Sequence, residues 1–175
     1  MKTRIGVFNI YLAALLCTCF LACETSGGKK KKELTNLSLH REVNQDGTGK
    51  SRPVQILRGN PPIYMNIEKE PFLYEADIIR AEVVEFLGGY AVRLQFNSRG
   101  TKVLEAVSLY NQGKHFAIFC KFTEQRWLAA PLFTGGFRNG GITFTPDATR
   151  EEADRIVRGL NEVAKVTNKK SLKKF

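Results

Sequence analysis

The sequence predicts an α+β domain in which a small antiparallel or mixed sheet carries two helices packed on one face. Three observations lead there. Short runs with period-two alternation recur through the middle of the chain. Two segments, one opened by Ser98 and one by Thr149, instead carry apolar residues at helical spacing. Their order is strands, helix, strands, helix, which suits helices laid against a sheet rather than a regular parallel repeat. The 175 residues are 43% hydrophobic, enough for one core and not for two. With 25% charged and 10% aromatic residues, wholesale disorder is excluded.

The body spans residues 34–166. Leu37, Leu39 and Val43 alternate with polar residues and predict a half-buried strand. Asn44–Gly49 is loop. Ile63, Met65 and Ile67 form a second alternating strand, stopped behind by Pro61 and Pro62. Ile78–Leu87 and Tyr90–Phe96 flank Gly88-Gly89, the signature of a hairpin. Ser98 opens a helix with Val103, Leu104, Ala106, Val107 and Tyr110 on its apolar stripe, and Gly113 closes it. Phe116–Phe122 reads as a buried strand and Trp127–Ala130 as a short one stopped by Pro131. Gly135-Gly136 and Gly140-Gly141 bracket a loop carrying Phe137, Arg138 and Asn139. Ile142–Phe144 is a further strand. Thr149-Arg-Glu-Glu152 is a capping box. Behind it, Ala153, Ile156, Val157, Leu160, Val163 and Ala164 share one helical face.

Residues 1–22 predict an export signal. Lys2 and Arg4 are its basic start, and Ile5–Ala22 is free of charge. The dense apolar part, Ile10–Ala22, has 13 residues, short of the roughly 20 that span a bilayer. The segment ends in Phe20-Leu21-Ala22-Cys23, which resembles the lipobox of bacterial lipoproteins. That resemblance implies that Cys23 is acylated, for example with palmitate, and becomes the mature N-terminus. An uncleaved N-terminal anchor is the alternative, and either attaches the protein to a membrane. Glu24 stands where an aspartate favours inner-membrane retention in some lipoproteins, which leans towards the outer membrane. Cys17 and Cys19 leave with the signal, so Cys120 alone remains in the body and no intramolecular disulfide is expected.

The net charge of +10 first suggests nucleic acid. Its distribution argues otherwise. Lys2 and Arg4 belong to the signal, Lys29–Lys32 to a polar tether at residues 23–33, and Lys169, Lys170, Lys173 and Lys174 to a basic tail at residues 167–175. Residues 33–168 then hold 17 basic against 16 acidic residues, so the body has no bulk basic excess. The lysines beside the anchor predict attraction to anionic lipid, on the order of 1 kcal/mol each near the surface. No nucleic-acid partner is expected.

Catalytic chemistry finds little support. Cys120 lies in an apolar strand-like run and reads as a small buried hydrophobe. Glu68 with Glu70, and Glu75 with Asp77, read as solvated loop charges. Two distant histidines and one remaining cysteine lack ligand spacing, so no metal or cofactor is expected. Gly135–Gly141 lacks the Gly-Lys-Ser/Thr ending of a phosphate loop. The loop is instead a candidate for polypeptide binding. Phe133, Phe137, Arg138 and nearby Trp127 are aromatic and arginine anchors in a Gly-flanked setting. Closure of the core is the competing role for Phe133 and Trp127.

Residues 71–163 resemble the periplasmic head domain of SecD, an export-assisting subunit of the bacterial Sec translocase. The resemblance rests on Val92-Arg-Leu-Gln-Phe96 leading into Asn97–Gly100 and a helix. Asn111-Gln-Gly-Lys-His-Phe-Ala-Ile118, Ala129-Ala-Pro131, Gly140-Gly-Ile-Thr-Phe144 and Thr149-Arg-Glu-Glu-Ala153 follow in the family's order. Cys120–Arg126 departs from the family's acidic Leu-Asp-Gly turn. Nothing after Val163 is apolar enough to span a membrane, so proton coupling through a helix bundle is not expected. The resemblance implies a non-enzymatic, lipid-anchored envelope module, facing the periplasm, that binds polypeptide or an envelope protein and is linked to export. A structural or surface-interaction lipoprotein without an export role is the alternative.

Overall fold

The apolar run beginning at Phe116 alternates between two separate cores, and the architecture follows from that. The computed structural model describes residues 34–57 and 61–172. The signal segment, Cys23, the tether with Lys29–Lys32 and the last residues of the basic tail lie outside the described residues.

In chain order the elements are β1 (Asn36–Arg41), β2 (Ser51–Ile56), β3 (Ile63–Glu68), β4 (Leu73–Tyr74), a 3-10 turn (Glu75–Asp77), β5 (Ile78–Phe86), β6 (Gly89–Phe96), α1 (Ser98–Tyr110), β7 (Phe116–Lys121), β8 (Gln125–Ala129), β9 (Gly141–Phe144) and α2 (Arg150–Leu172). The strands form a four-stranded sheet in the order β4-β1-β7-β8, a two-stranded β2-β3 hairpin and a three-stranded sheet β5-β6-β9. All pairings are antiparallel. The predicted α+β class with two helices therefore stands, with the strands divided among three sheets.

On one face of the four-stranded sheet, Leu37, Leu39, Phe116, Ile118 and Cys120 enter the main core. The three-stranded sheet adds Val92, Leu94 and Phe144, α1 adds Leu104, and α2 adds Ala153, Ile156, Val157 and Leu160. On the other face, Ala117 meets Ile56, Met65 and Ile67 of the β2–β3 hairpin, with Trp127 and Ala130 packed alongside. Residues on alternate positions of β7 thus serve different cores, which is why the run is almost continuously apolar. A bulge in the β7–β8 ladder between Ile118 and Phe119 leaves Leu128 without a paired partner. Leu128 and Ala129, consecutive in sequence, consequently both enter the main core.

β2 is the strand that sequence periodicity missed. It carries Pro53 and three exposed positions, and a proline is tolerated because β2 pairs on one side only. The β5–β6 turn also differs from expectation. Phe86 pairs with Gly89, so the two connecting residues are Leu87 and Gly88, one step earlier than Gly88-Gly89. Gly88 supplies the positive φ, at 91°, that the second turn position requires and a side chain resists. The three-stranded sheet reaches the four-stranded one through the chain after β9, where the Asp147 amide donates to the Leu128 carbonyl at 2.7 Å. At the outer edge of β5, the Asn161 side chain both accepts from the Ala81 amide and donates to its carbonyl, each at 2.9 Å. The helix thereby covers an edge that could otherwise pair with another strand.

Two helix ends depart from the sequence reading. α1 is capped by Asn97, whose side chain accepts from the Gly100 amide, and ends at Asn111. Gly113 lies two residues further on, with φ 79° and its amide bonded to the Phe133 carbonyl. At α2 the Glu152 amide donates to the Thr149 hydroxyl at 3.2 Å, as the capping box predicts. The Glu152 carboxylate is engaged by Arg126 of β8. α2 also continues helically to Leu172, beyond the start of the expected tail at residue 167.

Charged groups read as solvated in the sequence instead tie the layers together. Arg41 grips Glu68 with two hydrogen bonds, at 2.5 and 2.9 Å, joining β1 to β3. Glu75 accepts from the Asn36 side chain and the Leu37 amide. Asp77 is buried and pairs with Arg99 at 2.5 Å, linking the 3-10 turn to α1.

His40 is 4% exposed and closes the seam between β1 and the hairpin. Its Nδ1 lies 2.9 Å from the Glu68 carbonyl oxygen, and its Nε2 lies 3.0 Å from the Ser38 hydroxyl. A carbonyl only accepts, so Nδ1 carries the proton and Nε2 accepts from Ser38. The ring meets Trp127 edge-on at 5.4 Å. Burial holds this imidazole below its ordinary pKa of 6.5, and Arg52 adds to that. On acidification the unfolded chain therefore binds its proton first, and stability falls as pH drops below about 6.5. Glu68, held below the usual carboxylate range by Arg41, loses its contribution only at lower pH. We predict that His40→Gln flattens the pH dependence of urea stability between about pH 7 and about pH 5. An unchanged slope would show that His40 is not the group responsible.

Candidate functional site

The loop at residues 134–140 is shaped by what it lies against. Gly140 has φ 62°, and a Cβ there would sit 2.1 Å from the Thr101 hydroxyl oxygen of α1. A Cβ on Gly136 would lie 2.9 Å from Leu109 Cδ2. Glycine at both positions lets the loop backbone run against the helix. The Phe137 amide donates to the buried Ser108 hydroxyl at 2.9 Å. Arg138 Nε faces Glu105 Oε1 at 3.5 Å.

Contact with the core explains the rest. The Phe137 ring is half-buried and packs at 6.1 Å from Phe133 and 6.4 Å from Phe116. Phe133 is fully buried and stacks on Phe116 at 4.6 Å. Trp127 belongs to the second core, between Phe119 at 5.0 Å and the Arg52 guanidinium at 5.5 Å. The structure therefore does not gather the four predicted residues on one surface. Phe133 and Trp127 close two different cores, Phe137 pins the loop, and Arg138 alone is largely exposed, at 77%.

What the loop does accompany is an open groove of about 460 Å³ on α1, lined by Lys102, Glu105, Ala106, Leu109 and Tyr110. The sequence stripe placed Tyr110 and Ala106 on the buried face. Of that stripe Leu104 is buried and Val103 and Val107 pack against the main core, and the fully buried seam runs through Gly100, Leu104 and Ser108. Gly100 allows the close approach: a Cβ there would be 3.0 Å from Phe96 Cβ. Small residues at four-residue spacing bring the helix close and turn Ala106, Leu109 and Tyr110 outward. Tyr110 is 90% exposed. The adjacent pair Leu109-Tyr110, with Ala106 one turn earlier, was the readable sign of a second apolar stripe. Two other open depressions exist, one on the β2–β3 hairpin around Tyr64 and one near Ile79 and Asn97. The second adjoins Thr101, against which Gly140 of the glycine loop also packs.

The groove offers apolar contact and charge rather than reactive groups. Its floor is Ala106, Leu109 and Tyr110. Lys102 meets no acid within ion-pair distance among the described residues. Cys120 lies 2% exposed in the main core, with its thiol pushed up to about 12 by burial; a nucleophilic cysteine needs the opposite. His115 is committed to Glu42 at 3.3 Å. Among the described residues no group of three or more His, Cys, Asp or Glu is arranged to hold a metal, and no helix is long and apolar enough to cross a membrane.

No protein-family model and no curated protein sequence matches the chain. Solved structures do. One, described as a membrane component SecDF that enhances protein export, shares 23% identity at a TM-score of 0.54, over 74% of this chain and 63% of that one. Another, SecDF in a super-membrane-facing form, gives 23% identity and a TM-score of 0.55, over 74% of this chain and 19% of that one. The chain therefore has a SecD-like fold and spans less than two thirds of either structure.

The contact between Gly140 and Thr101 yields a direct expectation. Gly140→Ala places a side chain at positive φ against the helix and should destabilise the domain by about 1–3 kcal/mol in urea denaturation. Pairing it with Thr101→Ala should recover part of the loss. No recovery would mean that strain in the loop, and not the helix contact, dominates.

Proposed function

We propose that the chain is a lipid-anchored envelope protein whose SecD-like domain binds a polypeptide segment without catalysis, in connection with protein export. The observation that carries this reading is the groove of α1. It is an exposed apolar strip on α1, with Gly136 of the glycine loop passing beside Leu109. Helical apolar strips with a charged rim suit peptide capture, and a side chain such as Tyr110 contributes large contact area at modest entropic cost. The anchor in this reading is acylated Cys23, with Lys29–Lys32 adding attraction to anionic lipid. The domain would face the periplasm. The second reading is a structural or surface-interaction lipoprotein with no export role.

Two experiments separate these readings. A photo-crosslinking residue at Tyr110 should trap newly exported polypeptides in cells, while the same residue at exposed Glu151 should not. Adducts with one resident envelope protein alone would favour the second reading, and no excess over Glu151 would remove the groove as a docking site. For the anchor, Cys23→Ser should abolish incorporation of labelled palmitate. Undiminished labelling would contradict acylation at Cys23.

A further inference from the structure

We infer that the α1 groove selects an extended segment in which an apolar side chain is followed or preceded, about three residues away, by a carboxylate. This deepens the polypeptide-binding reading and rests on it. The argument is the placement of charge along the groove. The large apolar side chains of the groove are Leu109 and Tyr110, which are 44% and 90% exposed. Lys102 lines the same groove one end away. Seven helical residues separate Lys102 from Leu109, or roughly 10 Å along the axis. About three residues of extended chain cover that distance.

The two cations are unequal in their commitments. Arg138 shares Glu105 at the long distance of 3.5 Å and keeps most of its guanidinium in solvent. Lys102 meets no acid among the described residues. The groove is lined by one cation, Lys102, and one acid, Glu105; Arg138, from outside that lining, faces Glu105, which leaves Lys102 as the groove charge with no ion-pair partner among the described residues. That favours a carboxylate there and a neutral apolar group over Leu109. Glu105 in the wall disfavours a uniformly anionic strand such as nucleic acid. Surface charge pairs of this kind act mainly on selectivity, each at well under a factor of ten.

The test is fluorescence anisotropy on the purified full chain in detergent. The probes are three short labelled peptides with one central leucine and aspartate, serine or lysine placed three residues to either side. The aspartate peptide should bind about fivefold more tightly than the lysine peptide, a ratio expected for one favourable surface pair exchanged for one unfavourable one. The Lys102→Glu, Arg138→Glu double variant, altered only at exposed positions, should invert that order. Equal binding of all three, still lost in Tyr110→Ser, would overturn the charge selection and leave the docking site intact. Binding of none of them would overturn both. A Tyr110→Ser-sensitive association with vesicles containing phosphatidylglycerol, without peptide binding, would assign the groove to lipid and overturn the proposal.

Discussion

The structure depends on β7 being buried on both faces. Phe116, Ile118 and Cys120 point into the core shared by both helices, while Ala117 points at the β2–β3 hairpin. Because the hairpin has only two strands, it has little stability of its own. It gains a position by covering the second face. The small side chain of Ala117 lets the hairpin approach, and Ile56 and Ile67, both fully buried, fill the interface. Hydrophobic contact alone would leave the hairpin free to slide. The directional groups at the rim, His40 on the Glu68 carbonyl and Arg41 on the Glu68 carboxylate, fix its register against β1.

That arrangement explains where the acidic residues went. In a catalytic cleft, paired carboxylates face one another across open space. Here Glu68 holds a hairpin, Glu75 bonds the start of β1 and Asp77 receives Arg99, while Glu70 stays exposed as the sequence reading expected. Glu152 likewise answers Arg126 across the α2–β8 contact. The chemistry of the body is that of a rigid frame. On the outer face of α1, Leu109 and Tyr110 stay exposed.

The candidate loop was legible as a location and misleading as a surface. Its glycine pairs were read as bracketing a loop. What they permit is a close pass along α1, seen in the 2.1 Å that a Gly140 Cβ would leave to Thr101. Its aromatics attracted attention because arginine and phenylalanine together are common at interfaces. Phe133 and Phe137 were in fact needed by a cluster with Phe72 and Phe116. The loop passes Leu109 and sets Arg138 against Glu105. Tyr110 was hidden for a complementary reason: helical periodicity alone marks two apolar stripes on this helix, and Gly100 and Ser108 score poorly on the one that is buried.

By itself the sequence determined the element types and their order, the strong amphipathic face of α2, the buried character of β7 and the absence of bulk basic charge in the body. These are local properties, written in period, capping residues and composition. Tertiary structure decided what one-dimensional pattern leaves degenerate: which α1 stripe faces inward, which core each aromatic joins, and that a proline-bearing segment becomes β2. Each of these depends on a neighbour distant in sequence. A helix presents its smallest residues wherever another element comes closest, and only the packed fold determines where that is.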